Sequence, residues 1–434
     1  MRFRSHTFRA AAVVAASALV LAACGGSDSE SGAGSEESSS AEPSEEKSDG
    51  GGGGGGKGDG TLVVGTLLPQ TGDLAFLGPP EFAGVDLAVK EVNEAGGVNG
   101  SPVKQVKADS GDGTPNIAPQ ETNNLLDAGA DVVVGAASSS VSLSVIDKIT
   151  GAGVVHFSPA NTSTAFDTYD DKGLYFRTAP SDVLQGAVLA NLVASDGFSN
   201  VAIMARQDSY GEALANQVDE VFTEQGGTIT DKVLYNADAG QFNAEVDQIA
   251  ANDPEAIVLI AFNETTKIIP ALTAKGIGPQ DKQIYFVDGN TADYSKDFDK
   301  GTLEGVKATY PGAELSGDFR ERMLSVNKKL SDFTYGPESY DAVVVTALAA
   351  TVAGDDSGEA VAKEINGVTK DGEKCTEYAK CVEMIKAGDD IDYDGVSSPL
   401  EFNDTGSPSA ATIGIFEYNA DNTFENVRYI TGQV

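Results

Sequence analysis

The sequence predicts an α/β protein built from two doubly wound parallel-sheet lobes. Three observations carry that expectation. Short β-branched runs alternate with helical patterns from Thr61 onward, the alternation restarts after Arg177, and the length suits two lobes rather than one. A chain of 434 residues has room for two or three domains with substantial cores.

The elements follow in order. Leu62–Thr66 reads as a strand, and Glu81–Asn93 as a helix with Phe82, Val85, Val89 and Val92 on one face. Strands at Val103–Ala108, Asp131–Gly135 and Gly153–Phe157 alternate with helices at Asn116–Ala128 and Ser140–Thr150. The second set places helices at Asp182–Ala194, from Tyr210, at Phe242–Ala250 and at Thr265–Lys275. Its strands are Val201–Ala205, Thr228–Leu234, Ala256–Ile260 and Gln283–Val287. Two helices, Asp318–Leu330 and Ser339–Ala353, come next. Ile413–Tyr418 and Val427–Ile430 close the chain as a strand pair turning at Asp421-Asn422.

Before the module stand two segments of another kind. Arg2, Arg4 and Arg9 precede an apolar run, Ala10–Ala23, of fourteen residues. That is too short to span a bilayer but suits a signal peptide over residues 1–23. The run ends Leu21-Ala22-Ala23-Cys24, which resembles a bacterial lipobox, so Cys24 is expected to be acylated and to become the mature N-terminus. Residues 25–60 hold 13 Gly, 9 Ser and nine acids against two lysines, the composition of a disordered tether between the lipid-bearing Cys24 and the module at 61–434. The expected location is the extracytoplasmic face of the cell membrane, held there by the N-terminal lipid alone.

Composition narrows the function. A formal charge of −37 opposes binding to phosphate backbones, so nucleic acid is not an expected partner. The chain has two histidines; His6 leaves with the signal peptide and His156 lies inside a predicted strand, where a packed side chain is the expectation. Neither metal nor cofactor is expected. No phosphate-binding glycine loop or nucleophile elbow occurs, so the expectation is a protein that is not an enzyme. Cys375 and Cys381, in an exported chain, read as one local disulfide. Asp390-Ile391-Asp392-Tyr393-Asp394-Gly395 with Glu401 has the spacing of a Ca²⁺ loop, but Pro399 and the turn-like Phe402–Gly406 break the helix such a loop requires, which leaves a tight acidic turn as the alternative.

Ligands of open parallel sheets sit beyond the carboxyl ends of the strands. Those ends carry Ala136–Ser140, Ser158–Thr162, Asp208–Gly211, Phe262-Asn263 and Asp288-Gly289. The first lobe therefore offers hydroxyls, free N–H groups and a helix N-terminus, suited to a carboxylate. The second offers an acid and a phenol, suited to an ammonium.

At these positions the chain resembles the branched-chain amino-acid (Leu/Ile/Val) binding proteins, type I periplasmic binding proteins that serve ATP-binding-cassette transporters. The resemblance rests on Gly65–Gly72 with Gly78, Glu81–Gly84 with Asn93–Gly100, Gly135–Thr162 and Tyr210-Gly211-Glu212. It implies a Venus-flytrap fold with a three-segment hinge, with lobe 1 at about 61–179 and 309–400 and lobe 2 at about 180–308 and 401–434. By position, Ser139, Ala160 and Thr162 are expected to hold the carboxylate and part of the ammonium, Tyr210 to close from the second lobe, and Asp288 to bind the ammonium. Tyr340 is a less secure further contact. Phe76-Leu77 replaces an aromatic over the ligand side chain, and the Phe262-Asn263 loop is shorter than in leucine-binding members. The resemblance also places the third hinge crossing near Pro399–Thr405, favouring the turn over Ca²⁺. A monomer that delivers a small amino acid to a permease is the implied role.

Overall fold

The structure is a computed structural model and describes residues 58–433. The predicted signal peptide, Cys24 and nearly all of the tether lie outside the described residues.

The first sheet is all parallel. Its strands are β1 (Val63–Leu68), β2 (Lys104–Asp109), β3 (Val132–Gly135), β4 (Val155–Ser158) and β5 (Tyr175–Arg177), in the spatial order β2-β1-β3-β4-β5. Helices α1 (Gly78–Glu94), α2 (Ala118–Asp127) and α3 (Ser139–Gly151) connect the first four. β1 and β3 are buried along their whole length, as strands covered on both faces by helices must be.

The chain then enters a second sheet through α4 (Asp182–Ser195). Strands β6 (Asn200–Arg206), β7 (Thr228–Tyr235), β8 (Ala256–Ile260), β9 (Gln283–Phe286) and β10 (Lys307–Pro311) are parallel, linked by α5 (Ser209–Glu224), α6 (Asn243–Ala251) and α7 (Thr265–Ala274). The chain returns to the first lobe in α8 (Gly317–Val326), α9 (Gly336–Ala353), α10 (Gly358–Ile365) and α11 (Tyr378–Ala387). Two short strands, β11 (Glu373–Cys375) and β12 (Ile391–Tyr393), pair beside α11. The terminal hairpin, β13 (Ala410–Tyr418) and β14 (Phe424–Gln433), rejoins the second sheet, whose order is β14-β13-β10-β9-β8-β6-β7. It turns at Asn422, in the left-handed conformation with φ 60°.

Two details depart from the sequence reading. The second sheet is mixed, because β13 runs antiparallel to both β10 and β14. β10 also straddles the expected 308/309 boundary. It pairs with β9 on one side and β13 on the other, so the second crossing follows Pro311. The third crossing lies between Phe402, in the core of the first lobe, and Ala411, in that of the second.

α9 is the centre of the first lobe. Its residues from Ser339 to Ala350 are buried all round, and α1 lies across it. Gly84 permits that approach, since a Cβ there would collide with the backbone oxygen of Gly336. Among the described residues no helix is long and apolar enough to cross a membrane. Cys375 and Cys381 are disulfide-bonded, with Sγ–Sγ 2.07 Å.

Several acids are buried with their carboxyls pushed above the ordinary range. Burial raises Asp131 to about 7, helped by neighbouring Asp356 and Asp59; burial raises Glu338 to about 8 and Asp341 to about 6. A raised folded-state value means that the folded chain keeps a proton which the unfolded chain has released. The associated stability is present below the unfolded values near 4 and is lost as pH climbs through 6 to 8. Thermal unfolding at constant ionic strength is therefore expected to give a higher midpoint at pH 5 than at pH 8.5. A midpoint that rises across that interval would contradict this assignment.

Candidate ligand-binding site

The first half of the site is a pair of strand-end loops tied to one another. β3 ends at Gly135, and α3 begins at Ser139, four residues after it. β4 ends at Ser158, whose Oγ donates to Ala136 O at 2.7 Å and accepts from Ala160 N at 3.2 Å and Asn161 N at 3.0 Å. Asn161 Nδ2 donates back to Ala136 O and Ala137 O at 3.0 and 2.9 Å. Ser139 Oγ accepts from Ser163 N at 3.4 Å. Arg177, fully buried at the end of β5, braces the same loop from behind. It donates to Asn161 O and Ser163 O, pairs with Asp167, and reaches Ser407 Oγ at 2.8 Å.

The second half hangs on Asp288, immediately after β9. Its Oδ1 accepts from Tyr210 Oη at 2.6 Å and Gln185 Nε2 at 3.0 Å, and its Oδ2 from Tyr335 Oη at 2.8 Å. Burial pushes this carboxyl upward, and the three donors pull against that shift. The Tyr210 and Tyr335 hydroxyls are held far above their ordinary range by burial, then by the Asp288 charge, so both remain donors.

Tyr210 is placed by local sequence. The Asp208 side chain caps α5, accepting from Tyr210 N and Gly211 N at 3.1 and 2.8 Å. The Tyr210 ring stacks on Phe262 at 5.6 Å, and the Arg206 guanidinium lies 3.3 Å from the Phe262 ring centre on the edge of the same group. Glu264 and Asp208 hold Arg206 in place.

Between the halves is a narrow cleft with about 20 Å³ of accessible space. Ser139 and Ala160 face Tyr210 and Asp288 across it, while Leu74, Leu77, Phe262 and Tyr335 supply apolar walls. The lobes are drawn together around it. Ser140 Oγ and Ser209 Oγ are 3.0 Å apart, Ser163 Oγ donates to Ser209 O at 2.7 Å, and Thr114 Oγ1 lies 3.3 Å from Asp238 Oδ2.

Four of the five expected ligand residues thus line one cleft. The fifth, Thr162, is buried one layer back, where its carbonyl accepts from Asp182 N at 2.7 Å. Tyr340 is not in the cleft. Its hydroxyl donates to Glu91 Oε2 at 2.6 Å and accepts from Arg322 at 2.8 Å, within the first lobe. The aromatic contributed by this part of the chain is Tyr335, held at φ 58° just before α9. Leu77 does stand on the wall, joined by Leu74.

Asp182 is a further residue that the sequence reading did not single out as a ligand group. It is fully buried at the start of α4. Burial, then the nearby Asp288 charge, push its carboxyl well above the ordinary range, which favours its neutral form. The signal available for it was an acid at the first turn of a helix leaving the hinge, indistinguishable by sequence from an ordinary N-terminal helix acid.

The remaining motifs resolve locally. His156 is fully buried in β4, edge-on to Tyr175 at 5.4 Å, and burial pushes its imidazole down to about 4, so it is neutral and packed. In the acidic turn, Lys374 Nζ sits 2.9 Å from Asp392 and 2.8 Å from Asp394, filling with an ammonium the space between them. Among the described residues no group of three His, Cys, Asp or Glu side chains could hold a metal ion.

Comparison with known proteins agrees with this architecture. The family model described as periplasmic binding protein matches residues 61–379, and the chain belongs to that family. It is similar to the chemotactic signal transduction system substrate-binding protein BasB of Halobacterium salinarum, at 27% identity over 357 residues, 78% of this chain and 83% of the relative. It is also similar to the leucine-, isoleucine-, valine-, threonine-, and alanine-binding protein of Pseudomonas aeruginosa, at 24% identity, covering 71% of this chain and 83% of the relative. Among solved structures, the branched-chain amino acid transporter substrate binding protein LivJ of Streptococcus pneumoniae, in complex with isoleucine, superposes with a TM-score of 0.70 at 21% identity. That match covers 86% of this chain and all of the other. The fold is accordingly the two-lobed type I periplasmic-binding-protein fold, and the family's members are substrate-binding proteins.

Proposed function

We propose that this protein is a non-enzymatic, extracytoplasmic solute receptor that captures a small amino acid with a neutral aliphatic side chain. It does so by closing its two lobes, then delivers the ligand to an ATP-binding-cassette permease. The observation that carries the reading is Asp288, a carboxylate held at the cleft by two tyrosines and a glutamine and facing Ser139 and Ala160. An ammonium fits the acid, and a carboxylate fits the hydroxyl and backbone groups at the start of α3, where the helix dipole favours negative charge. Thr162, behind Ala160, supports the same end through its backbone. The cleft walls contribute no cation, and Leu74, Leu77 and Phe262 leave no counter-charge for an ionised ligand side chain. In this reading Cys24 carries the lipid, the tether at 25–60 keeps a monomeric receptor near its permease, and effective concentration replaces high affinity for the partner.

A thermal-shift screen of the purified protein against the amino acids, followed by calorimetry, tests this. Alanine, valine, isoleucine or leucine is expected to raise the unfolding midpoint, because a ligand binding only the folded state stabilises it by mass action. Aspartate, glutamate, lysine and arginine are expected to leave it unchanged. The matching 2-keto acid, which lacks the ammonium, is expected to bind at least about tenfold more weakly, a loss of roughly 1.4 kcal/mol. If no amino acid moves the midpoint, the amino-acid reading fails and another small polar ligand, such as an amide or urea, replaces it. A sensory role is the second reading, favoured by the chemotactic description of the Halobacterium salinarum relative. Co-purification with a signalling partner rather than a permease would select it.

A further inference from the structure

A second and larger crevice, with about 1210 Å³ of open space, lies where the second crossing meets the edge of the seven-stranded sheet. One wall is aromatic. Tyr310 stacks on Phe416 at 4.3 Å, Phe424 stands edge-on to Phe416 at 5.5 Å, and Tyr429 does the same at 6.4 Å. The opposite wall is acidic. Glu338 is 4% exposed, and among the described residues no other residue donates a hydrogen bond to its carboxylate. Asp332 Oδ1 takes both donors of Thr334, at 3.0 and 2.8 Å, and the Phe333 backbone N–H also bonds this carboxyl. Asp293 and Glu314 also border the crevice, and among the described residues lining it the one cation is Arg320, whose guanidinium carbon lies over the Phe333 ring at 4.4 Å.

Aromatic faces and buried carboxylates are the two features that recognise an ammonium carrying an apolar body. Among the described residues the Glu338 carboxylate accepts only from its own backbone N–H, and a buried acid so thinly bonded is costly and is relieved by a cation. We propose that this crevice is a second small-molecule site, distinct from the amino-acid cleft, which takes a compact organic cation between the Tyr310–Phe416–Phe424 wall and Glu338. The two sites share only Tyr335 as a partition. The proposal does not depend on what the cleft binds.

The test is calorimetric titration of the purified protein with benzyltrimethylammonium, whose charge does not titrate. Saturable binding is expected. Glu338→Gln is expected to weaken it about tenfold or more, and Phe424→Ala several-fold. Affinity is expected to climb several-fold from pH 6 to pH 8.5, because the Glu338 carboxyl, pushed by burial to about 8, becomes an anion across that interval. The charged and titratable groups around Glu338 are Glu81 from α1, Asp341 on its own helix, Tyr310 from β10, Arg320 from α8, and Asp332 and Tyr335 from the preceding loop. The pH dependence is expected to vanish in Glu338→Gln. Should that variant fail to fold, Phe424→Ala carries the test. No saturable binding to the wild type, equal binding by wild type and Phe424→Ala, or unchanged binding by a folded Glu338→Gln would each overturn the second site. None of these results bears on whether amino acids bind the cleft, which is measured separately.

Discussion

Asp288→Ala is expected to weaken amino-acid binding by at least tenfold, about 1.4 kcal/mol. The effect has two parts. The ligand ammonium loses its counter-charge in a desolvated cleft, and three donors, from Tyr210, Tyr335 and Gln185, lose their common acceptor. Asp288→Asn separates the parts. It keeps an oxygen for the tyrosines but removes the charge, so it should fall between the wild type and Asp288→Ala. Asp182 is the group that could rescue charge here, since its carboxyl is held neutral partly by the Asp288 anion. If Asp288→Ala binds amino acids with unchanged affinity by calorimetry, Asp288 is not the ammonium ligand, and the double variant with Asp182→Asn identifies the acid that is.

Gly84→Val should damage the first lobe severely, lowering stability by about 3 kcal/mol or more. The obstruction is backbone, not a side chain that can swing away. A Cβ at position 84 meets the Gly336 carbonyl, and Ser339 Cβ is next nearest. α1 would have to lift from α9, opening the core around Val85, Val344 and Leu348. The displaced segment begins one residue after Tyr335, so ligand binding should fall with stability. Circular dichroism melts of Gly84→Val against Gly84→Ala measure this; a midpoint within a degree of wild type in the valine variant would show that the two helices can separate at low cost.

Local patterns made much of this molecule legible. Buried strands such as Val132–Gly135 and Ala256–Ile260 announce themselves as continuous apolar runs, and an α/β sheet places its ligand groups where those runs end. That logic brought Ser139, Ala160, Tyr210 and Asp288 to one cleft. What escaped was set by distance along the chain. Tyr335 is 47 residues from the carboxylate it contacts and sits in a left-handed turn that belongs to no periodic element. An aromatic just before Gly336-Pro337, at the start of the helix that follows the second crossing, was the available signal. β10 escaped because Lys307–Pro311 is short, with a lysine at one end and a proline at the other, and is a strand only through its neighbours β9 and β13. Thr162 was placed by order in a loop, but the turn imposed by Asn161 on the Ala136 and Ala137 carbonyls set it a layer behind the wall.

Arg177 joins two jobs that are usually separate. One side chain, fully buried, grips the loop that presents Ala160 and also the segment at Ser407 in the third crossing; its own backbone N–H donates to Gly406 O at 2.9 Å. The ligand loop and the pivot are thus bolted to a common rivet. A shift of that loop by a fraction of an ångström is therefore felt at the third crossing through one side chain, without passing through the sheet. The linkage is mechanical, and its stiffness is that of a fully buried guanidinium held by four hydrogen bonds.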